Sequence, residues 1–164
     1  MSVRIRLARS EEWERARDLR LRALADAPDA FGSSLERERA FDEAEWRAWI
    51  EGWEGATHRF VVCESDGEWV GMAVGSRATG EPDAHLYGMW VYPERRRQGV
   101  GEGLVSDVVG WARSWEARSV ILGLADGNEG AERFYEHLGF VDTGERHPLR
   151  EGSELVTRVL RLGL

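Results

Sequence analysis

Apolar residues recur along this chain with two different periods, and their succession predicts the order of its strands and helices. Val3 to Leu7 alternates apolar and charged residues as a half-buried strand does, and after Ser10 the apolar positions return at helical spacing. Continued along the chain, the pattern predicts the order β-α-α-β-β-β-α-β-α-β-β. No internal repeat or break in composition divides the sequence, so we expect a single domain spanning residues 1–164.

The remaining predicted elements follow from the same pattern. The later strands are predicted at residues 59–64, 69–76, 85–92, 120–124, 140–142 and 155–162, and the later helices at 42–54, 100–115 and 129–138. Asp66-Gly67 separates two of these strands and favours a tight hairpin turn. Residues 26–34 contain proline and glycine, and they are predicted to form a surface loop.

Charge and composition narrow the classes of function. The formal net charge of −8 disfavours binding to nucleic-acid phosphates and favours a cationic small molecule or basic peptide as the binding partner. We find no apolar run long enough to span a membrane and no signal peptide, and the single cysteine, Cys63, cannot form an internal disulfide. A cytoplasmic protein without membrane or nucleic-acid partners is therefore expected.

The most specific segment is Val91 to Leu104, where three glycines open a helix directly after a strand. Glycine lets the backbone approach a ligand closely, and the free N–H groups at a helix N-terminus favour anions such as a pyrophosphate. A dinucleotide fold is a rival, but its glycine loop follows the first strand, whereas this loop follows the fourth. A tight turn without a ligand is the remaining alternative.

Two motifs in this part of the chain resemble those of the GNAT superfamily of N-acetyltransferases. Arg96-x-x-Gly99-x-Gly101 is similar to the signature that binds the coenzyme A pyrophosphate, and residues 128–140 resemble the family's second pattern, N-x-x-A-x-x-F-Y-x-x-x-G-F. The resemblance implies an α/β (α+β) fold with a mixed, mostly antiparallel seven-stranded sheet and four helices. It also implies that strands 4 and 5 splay apart.

Acetyl-CoA is the co-substrate that this resemblance implies, and no metal is expected. Gly88 and Gly123 lie within these two strands, where a glycine is typical of a bulge or a close backbone approach. The resemblance implies that acetyl-CoA is held by Met89, Trp90, Val91, Arg96, Arg97, Gln98, Gly99, Val100, Gly101, Glu102, Gly103, Asn128, Ala131, Phe134 and Tyr135.

Three residues are the candidates for catalysis. The resemblance implies that the Met89 N–H stabilises the oxyanion and that Tyr135 protonates the departing thiolate. His85 precedes the Gly88-Met89 pair and has a pKa suited to accepting the amine's proton, directly or through a water. Glu81, Asp83 and a water chain are alternative bases, and Glu64 is a more distant one.

The sequence identifies acceptor-binding residues less specifically than residues that bind the co-substrate. Trp46, Trp49 and Trp53 share one face of the second predicted helix, as core residues commonly do. The resemblance implies that the first two helices and their loop border the acceptor, so Phe31, Trp46 and Trp49 are the substrate-binding candidates.

These observations predict an enzyme that transfers acetyl from acetyl-CoA to a primary amine of a small molecule or peptide, by direct attack in a ternary complex. A non-catalytic acyl-CoA-binding or regulatory module on the same fold is the alternative. The sequence leaves open the identity of the amine-bearing acceptor, the use of other acyl-CoAs and whether the protein is a homodimer.

Overall fold

A computed structural model describes residues 2–164 and places every predicted strand in one seven-stranded sheet of order β1-β2-β3-β4-β5-β7-β6. The strands are β1 (Val3–Leu7), β2 (His58–Ser65), β3 (Glu68–Arg77), β4 (Ala84–Val91), β5 (Ser119–Ala125), β6 (Val141–Pro148) and β7 (Val156–Gly163). Only β4 and β5 pair in parallel, and the other neighbours are antiparallel. The predicted mixed, mostly antiparallel sheet is confirmed.

Five α-helices accompany this sheet, one more than the sequence pattern predicts. They are α1 (Trp13–Asp26), α2 (Leu35–Arg39), α3 (Glu43–Glu51), α4 (Val100–Ser114) and α5 (Glu129–His137), with short 3-10 turns at Ser10–Glu12 and Pro93–Arg95. The additional helix, α2, has only five residues, four of them charged, so it carries no apolar periodicity. Within residues 2–164, no helix is long and apolar enough to cross a membrane.

Each face of the sheet carries its own core. Val61 and Cys63 of β2 point to the face covered by α4 and α5, while Phe60 and Val62 point to the face covered by α1 and α3. Alternation along one strand therefore supplies both layers, as expected for a sheet buried on both sides. The predicted hairpin turn is present between β2 and β3, where Asp66 and Gly67 both have positive φ.

A bulge interrupts β4 where the sequence predicts one. Met72 of β3 pairs with Trp90 and Val74 pairs with Tyr87, so two residues of β4, Gly88 and Met89, face the single residue between them on β3. Gly88 has φ +58°, a left-handed conformation that other residues rarely adopt. The sequence prediction of a bulge at Gly88 is confirmed.

The two parallel strands separate just before this bulge. Pairing between β4 and β5 ends at Leu86 and Leu122, while β5 continues to pair with β7 as far as Ala125. Gly123 lies beyond the split but is not a bulge, because β5 keeps a continuous register with β7 there. A Cβ on Gly123 would lie 2.7 Å from the Thr157 methyl group, so this glycine makes room for a neighbouring side chain.

Candidate functional site

Two clefts open where β4 and β5 separate, and they meet at the end of the split. The large cleft, about 1160 Å³, lies between the loop after α1, the end of β4 and the first turns of α4 and α5. The small cleft, about 420 Å³, lies between α1, α3 and the separated strands. Both are lined by Ala30, Phe31, Met89, Ala125, Asn128, Ala131 and Tyr135.

The first turn of α4 presents unpaired backbone donors to the large cleft. Gly99 caps the helix with φ +82°, and the first bond of the helix runs from the Gly103 N–H to the Gly99 carbonyl. The N–H groups of Val100, Gly101 and Glu102 therefore precede the helical hydrogen-bond pattern. Together with the positive end of the helix dipole, they form a site suited to a phosphate group.

Two glycines of this turn serve different purposes. A Cβ on Gly101 would lie 2.9 Å from the Met89 Cε and 3.1 Å from Phe134, so a side chain there would project into the large cleft. A Cβ on Gly103 would lie 2.4 Å from Ile5 of β1, which is too close for two carbon atoms. Gly101 therefore keeps the large cleft open, whereas Gly103 lets α4 pack against the sheet.

An acidic residue at the end of α1 anchors the arginine of the glycine loop. Asp26 accepts hydrogen bonds from the Trp90 indole at 2.9 Å and from the Arg96 guanidinium at 2.7 Å. Burial raises the pKa of Asp26, but these two hydrogen bonds and the positive charges of Arg96 and Arg22 together outweigh burial and hold the pKa below its usual value. Arg96 also donates to the Val91 carbonyl, so its position is fixed before any anion binds.

Most of the residues predicted to hold acetyl-CoA line the large cleft. Gln98, Val100 and Gly103 are not among its lining residues. The Gln98 side chain donates to the Glu94 carbonyl, and Val100 is buried in the core. The structure brings the other twelve together: Met89, Trp90, Val91, Arg96, Arg97, Gly99, Gly101, Glu102, Asn128, Ala131, Phe134 and Tyr135.

Tyr135 stands at the junction of the two clefts, on the helix that Asn128 caps by accepting a hydrogen bond from the Ala131 N–H. Its side chain packs edge-on against Phe134 and Phe140, and it is 8% exposed. Burial raises the pKa of Tyr135 well above that of a free tyrosine. The phenol is therefore protonated at neutral pH.

The three acceptor candidates separate in the structure. Phe31 and Trp49 line the small cleft, and so does Trp53 from the turn after α3. Trp46 is 2% exposed and packs against Phe41 and Trp49 inside the core. It is not among the residues that line the small cleft, because it is buried in the core that α1 and α3 form against the sheet.

None of the predicted bases lines either cleft. His85 stacks on Tyr87 and lies four residues before Met89, on the other side of the bulge at Gly88. Asp83 accepts hydrogen bonds from Ser119 and Arg118, and Glu64 accepts a hydrogen bond from Arg6. Burial raises the pKa of Asp83, but the hydrogen bonds from Ser119 and Arg118 and the nearby arginine charges outweigh burial, so the pKa lies below its usual value. The structure therefore does not bring His85, Asp83, Glu81 or Glu64 to the junction.

Two residues of the small cleft are absent from the sequence prediction. Arg20 of α1 and Tyr87 of β4 both line it. Arg20 lies in the charged run RDLRLR and resembles any solvated helix residue, so the sequence contains no signal for it. Tyr87 precedes Gly88 by one residue, and a bulge re-aims neighbouring side chains, which is a usable signal.

Comparison with known proteins agrees with this geometry. The sequence model of the acetyltransferase (GNAT) family matches residues 13–140. An uncharacterized N-acetyltransferase of Methanocaldococcus jannaschii is 28% identical over 107 residues, which is 61% of this chain and 47% of that protein. The chain spans about half the length of the curated relatives it matches.

Solved structures share the whole fold at low sequence identity. An acetyltransferase of the GNAT family from Streptococcus pneumoniae has a TM-score of 0.82 at 15% identity, covering 99% of this chain and 100% of that one. A protein from Salmonella typhimurium solved with its cofactor acetyl-CoA has a TM-score of 0.78 at 20% identity, covering 100% and 95%. With the family model matching most of the sequence, this chain belongs to the GNAT family of acetyltransferases.

Proposed function

We propose that this protein transfers the acetyl group of acetyl-CoA to a primary amine, and that both substrates are bound when the amine attacks. The observation that carries the proposal is the meeting of the two clefts at Met89 and Tyr135. One cleft has the donors and length for a nucleotide-bearing co-substrate, and the other has room for a small acceptor. Direct transfer needs such a junction and no covalent intermediate on the protein.

The large cleft fits acetyl-CoA in its charge and in its space. The N–H groups at the start of α4 and the side chains of Arg96 and Arg97 supply donors for the pyrophosphate, and Gly101 leaves the space that it needs. The family neighbour solved with acetyl-CoA adds support by analogy of fold. Acetyl-CoA supplies a thioester, whose carbonyl is the electrophile for the amine.

The open edge of β4 offers backbone groups for the pantetheine arm. The Tyr92 N–H bonds to Val70 of β3, so by strand alternation the backbone groups of Val91 and Met89 point away from β3 towards the split. The Val91 carbonyl accepts from Arg96, which leaves the Val91 N–H available to an amide of the arm. The Met89 N–H then lies at the junction, where it stabilises the oxyanion of the attacked thioester.

Two protons move in the reaction, and the structure supports a different route for each. The amine nitrogen forms the C–N bond and gives the oxyanion, whose collapse breaks the C–S bond, and the departing thiolate takes the proton of the Tyr135 hydroxyl. Tyr135 recovers a proton from solvent afterwards. The amine must lose a proton before or during attack, and of the described residues lining the small cleft none has a carboxylate or an imidazole. We assign that proton to water.

The test is release of coenzyme A thiol from acetyl-CoA with a panel of primary amines, measured alongside calorimetric binding of acetyl-CoA. Amine-dependent thiol release with a stable N-acetyl product supports the proposal. Binding of acetyl-CoA without release for any amine of a broad panel would identify a non-catalytic acyl-CoA-binding module instead. Absence of both binding and release would contradict the placement of acetyl-CoA in the large cleft.

A further inference from the structure

The small cleft has an unusual charge pattern for a protein with a formal net charge of −8. Of the described residues that line it, Arg20 alone is charged, and its other lining side chains are aromatic, aliphatic or neutral polar. The overall charge favours a cationic acceptor, but these residues include no carboxylate that could bind a cation. The local surface, which the acceptor touches, therefore outweighs the net charge as a guide to the acceptor.

Arg20 is held in place from several sides. Its Nε and one terminal nitrogen, Nη2, donate to the two carboxylate oxygens of Glu38, each at 2.9 Å. The guanidinium carbon lies 4.9 Å from the centre of the Phe31 ring and 5.8 Å from that of Trp49. The side chains of Arg20 and Glu38 are only 12% and 4% exposed. The guanidinium is therefore preorganised, and little side-chain entropy remains to be lost on binding a ligand.

The second terminal nitrogen of Arg20, Nη1, is the one that Glu38 leaves free. It lies 3.7 Å from the position that a Cβ on Gly88 would occupy, beside the bulge of β4. Neither of its two N–H groups has a hydrogen-bond partner within residues 2–164, and the atom is not among the buried polar atoms without partners. Nη1 therefore opens into the small cleft, one residue away from Met89.

We propose that Arg20 binds a carboxylate adjacent to the acceptor's amine, so that the acceptor is an α-amino acid with an apolar side chain. The inference rests on the proposed function and names its substrate class. A carboxylate and an amine on one carbon are a short distance apart, so a carboxylate held beside Gly88 brings the amine towards Met89. Phe31, Trp49, Trp53 and Tyr87 then supply the apolar walls for the side chain.

The first arm of the test compares each amino acid with its decarboxylated amine. The substrates are L-phenylalanine, L-tryptophan, L-leucine and L-methionine, each beside the amine that lacks only the carboxylate, and thiol release gives kcat/KM. We expect at least one amino acid to exceed its amine by about ten- to a hundredfold, the range of a hydrogen bond to a charged group. Equal rates for all four pairs would overturn the inference while leaving the proposed function intact.

The amide of the preferred amino acid separates a free amino acid from a peptide N-terminus, because it keeps the carbonyl but not the negative charge. We expect the amide to be used about tenfold less well or worse, since charge-assisted hydrogen bonds are about twice as strong as neutral ones. An amide used as well as the acid would overturn the carboxylate assignment. If no amine of any kind releases thiol, the proposed function and this inference fail together.

Variants assign the preference to Arg20. Removing Arg20 alone would leave Glu38 buried and unpaired, so the informative variant is Arg20→Met with Glu38→Leu. We expect its ratio of kcat/KM between amino acid and amine to fall to about one, and Arg20→Lys, which can pair with Glu38, to lower it in the same direction. The matched control is Arg59→Met with Asp107→Leu, a second arginine-carboxylate pair outside both clefts, which should keep the ratio.

Acetyl-CoA affinity and thermal unfolding of both double variants report whether they fold. A double variant at Arg20 and Glu38 that binds acetyl-CoA normally and still prefers the amino acid would overturn the role of Arg20. If that variant does not fold, Arg20→Lys decides alone, and an unchanged ratio in Arg20→Lys would overturn the role.

Discussion

The two clefts are built in different ways. The large cleft draws its key groups from backbone and glycine positions in two short segments, the end of β4 with the first turn of α4 and the first turn of α5. The small cleft is lined by residues from α1, the loop after it, the region of α3, the strands β3, β4 and β5, the start of α5 and the end of the β6-β7 hairpin. The co-substrate groups of the large cleft therefore come from two short segments, with residues 26–31 closing its other side, whereas the small cleft is assembled from most of the chain.

This difference follows from what each cleft has to bind. A pyrophosphate and an amide arm are recognised by N–H groups and a helix dipole, which any sequence with the right backbone can supply. An acceptor is recognised by side chains, which can change without altering the fold. A short motif in the sequence therefore identifies the co-substrate, whereas only the assembled structure shows the acceptor side.

The largest expected effect comes from closing the large cleft. Gly101→Asp places a side chain and a negative charge where the pyrophosphate would lie, and we expect calorimetry to detect no binding of acetyl-CoA, a loss of at least a hundredfold, about 2.7 kcal/mol. Gly110→Asp is the matched control, because Gly110 lies on the same helix with open space around it. Equal affinity of wild type and Gly101→Asp would show that the phosphates bind elsewhere.

A substitution at Tyr135, where the two clefts meet, should lower turnover and leave acetyl-CoA binding unchanged. We expect Tyr135→Phe to lower kcat by roughly ten- to a thousandfold, with acetyl-CoA affinity nearly unchanged, because a proton donor acts only in the transition state. Tyr92→Phe, a tyrosine outside the lining of both clefts, should leave kcat unaffected. Turnover unchanged in Tyr135→Phe, in an enzyme not limited by product release, would make this residue a packing residue.

A smaller effect is expected where the β6-β7 hairpin holds the loop after α1. Arg150 donates to the carbonyls of Phe31 and Ser33, at 2.9 and 3.1 Å. We expect Arg150→Ala to raise the acceptor KM by about three- to tenfold, the value of one or two ordinary hydrogen bonds, with acetyl-CoA affinity preserved. Arg146→Ala is the control, because Arg146 bonds within its own strand. A loss of acetyl-CoA affinity in Arg150→Ala, with the acceptor KM unchanged, would show that this contact supports the wall of the large cleft and not the acceptor side.

The smallest effect is expected for His85, which neither cleft includes. We expect His85→Ala to change kcat/KM by less than about threefold, and the rise of rate with pH to follow the pKa of the acceptor amine, because only the neutral amine attacks. The measurement is a pH profile with two acceptors of different pKa. An inflection near pH 6 to 7 that disappears in His85→Ala would identify this histidine as the base after all.

What could be predicted from the sequence follows the same division. Strand alternation, the Asp66-Gly67 turn, the bulge at Gly88 and the glycine loop are local patterns, and the structure contains each of them. The pair of Arg20 and Glu38 is not local. Glu38 lies in a five-residue helix whose sequence, LERER, looks like a solvated loop, and only the fold shows that its carboxylate is buried against α1.

Packing also separates candidate residues that the sequence alone does not distinguish. Trp46 and Trp49 lie on neighbouring faces of one helix, yet only Trp49 reaches the small cleft. His85 shares a strand with Met89, but it is not among the residues that line either cleft. In both cases the residue type suits the chemistry. Only the folded structure shows whether the residue lines a cleft.

The bulge at Gly88 also divides β4 into two segments of opposite parity. Before it the even-numbered Ala84 and Leu86 face α4, and after it the odd-numbered Met89 and Val91 do. Deleting one residue from the bulge would therefore exchange the faces of everything downstream, sending Trp90 to the wrong core and the Met89 side chain away from Gly101. The number of residues in the bulge therefore fixes which side chains of β4 face each core, and the cleft depends on that number as much as on the identity of any one side chain.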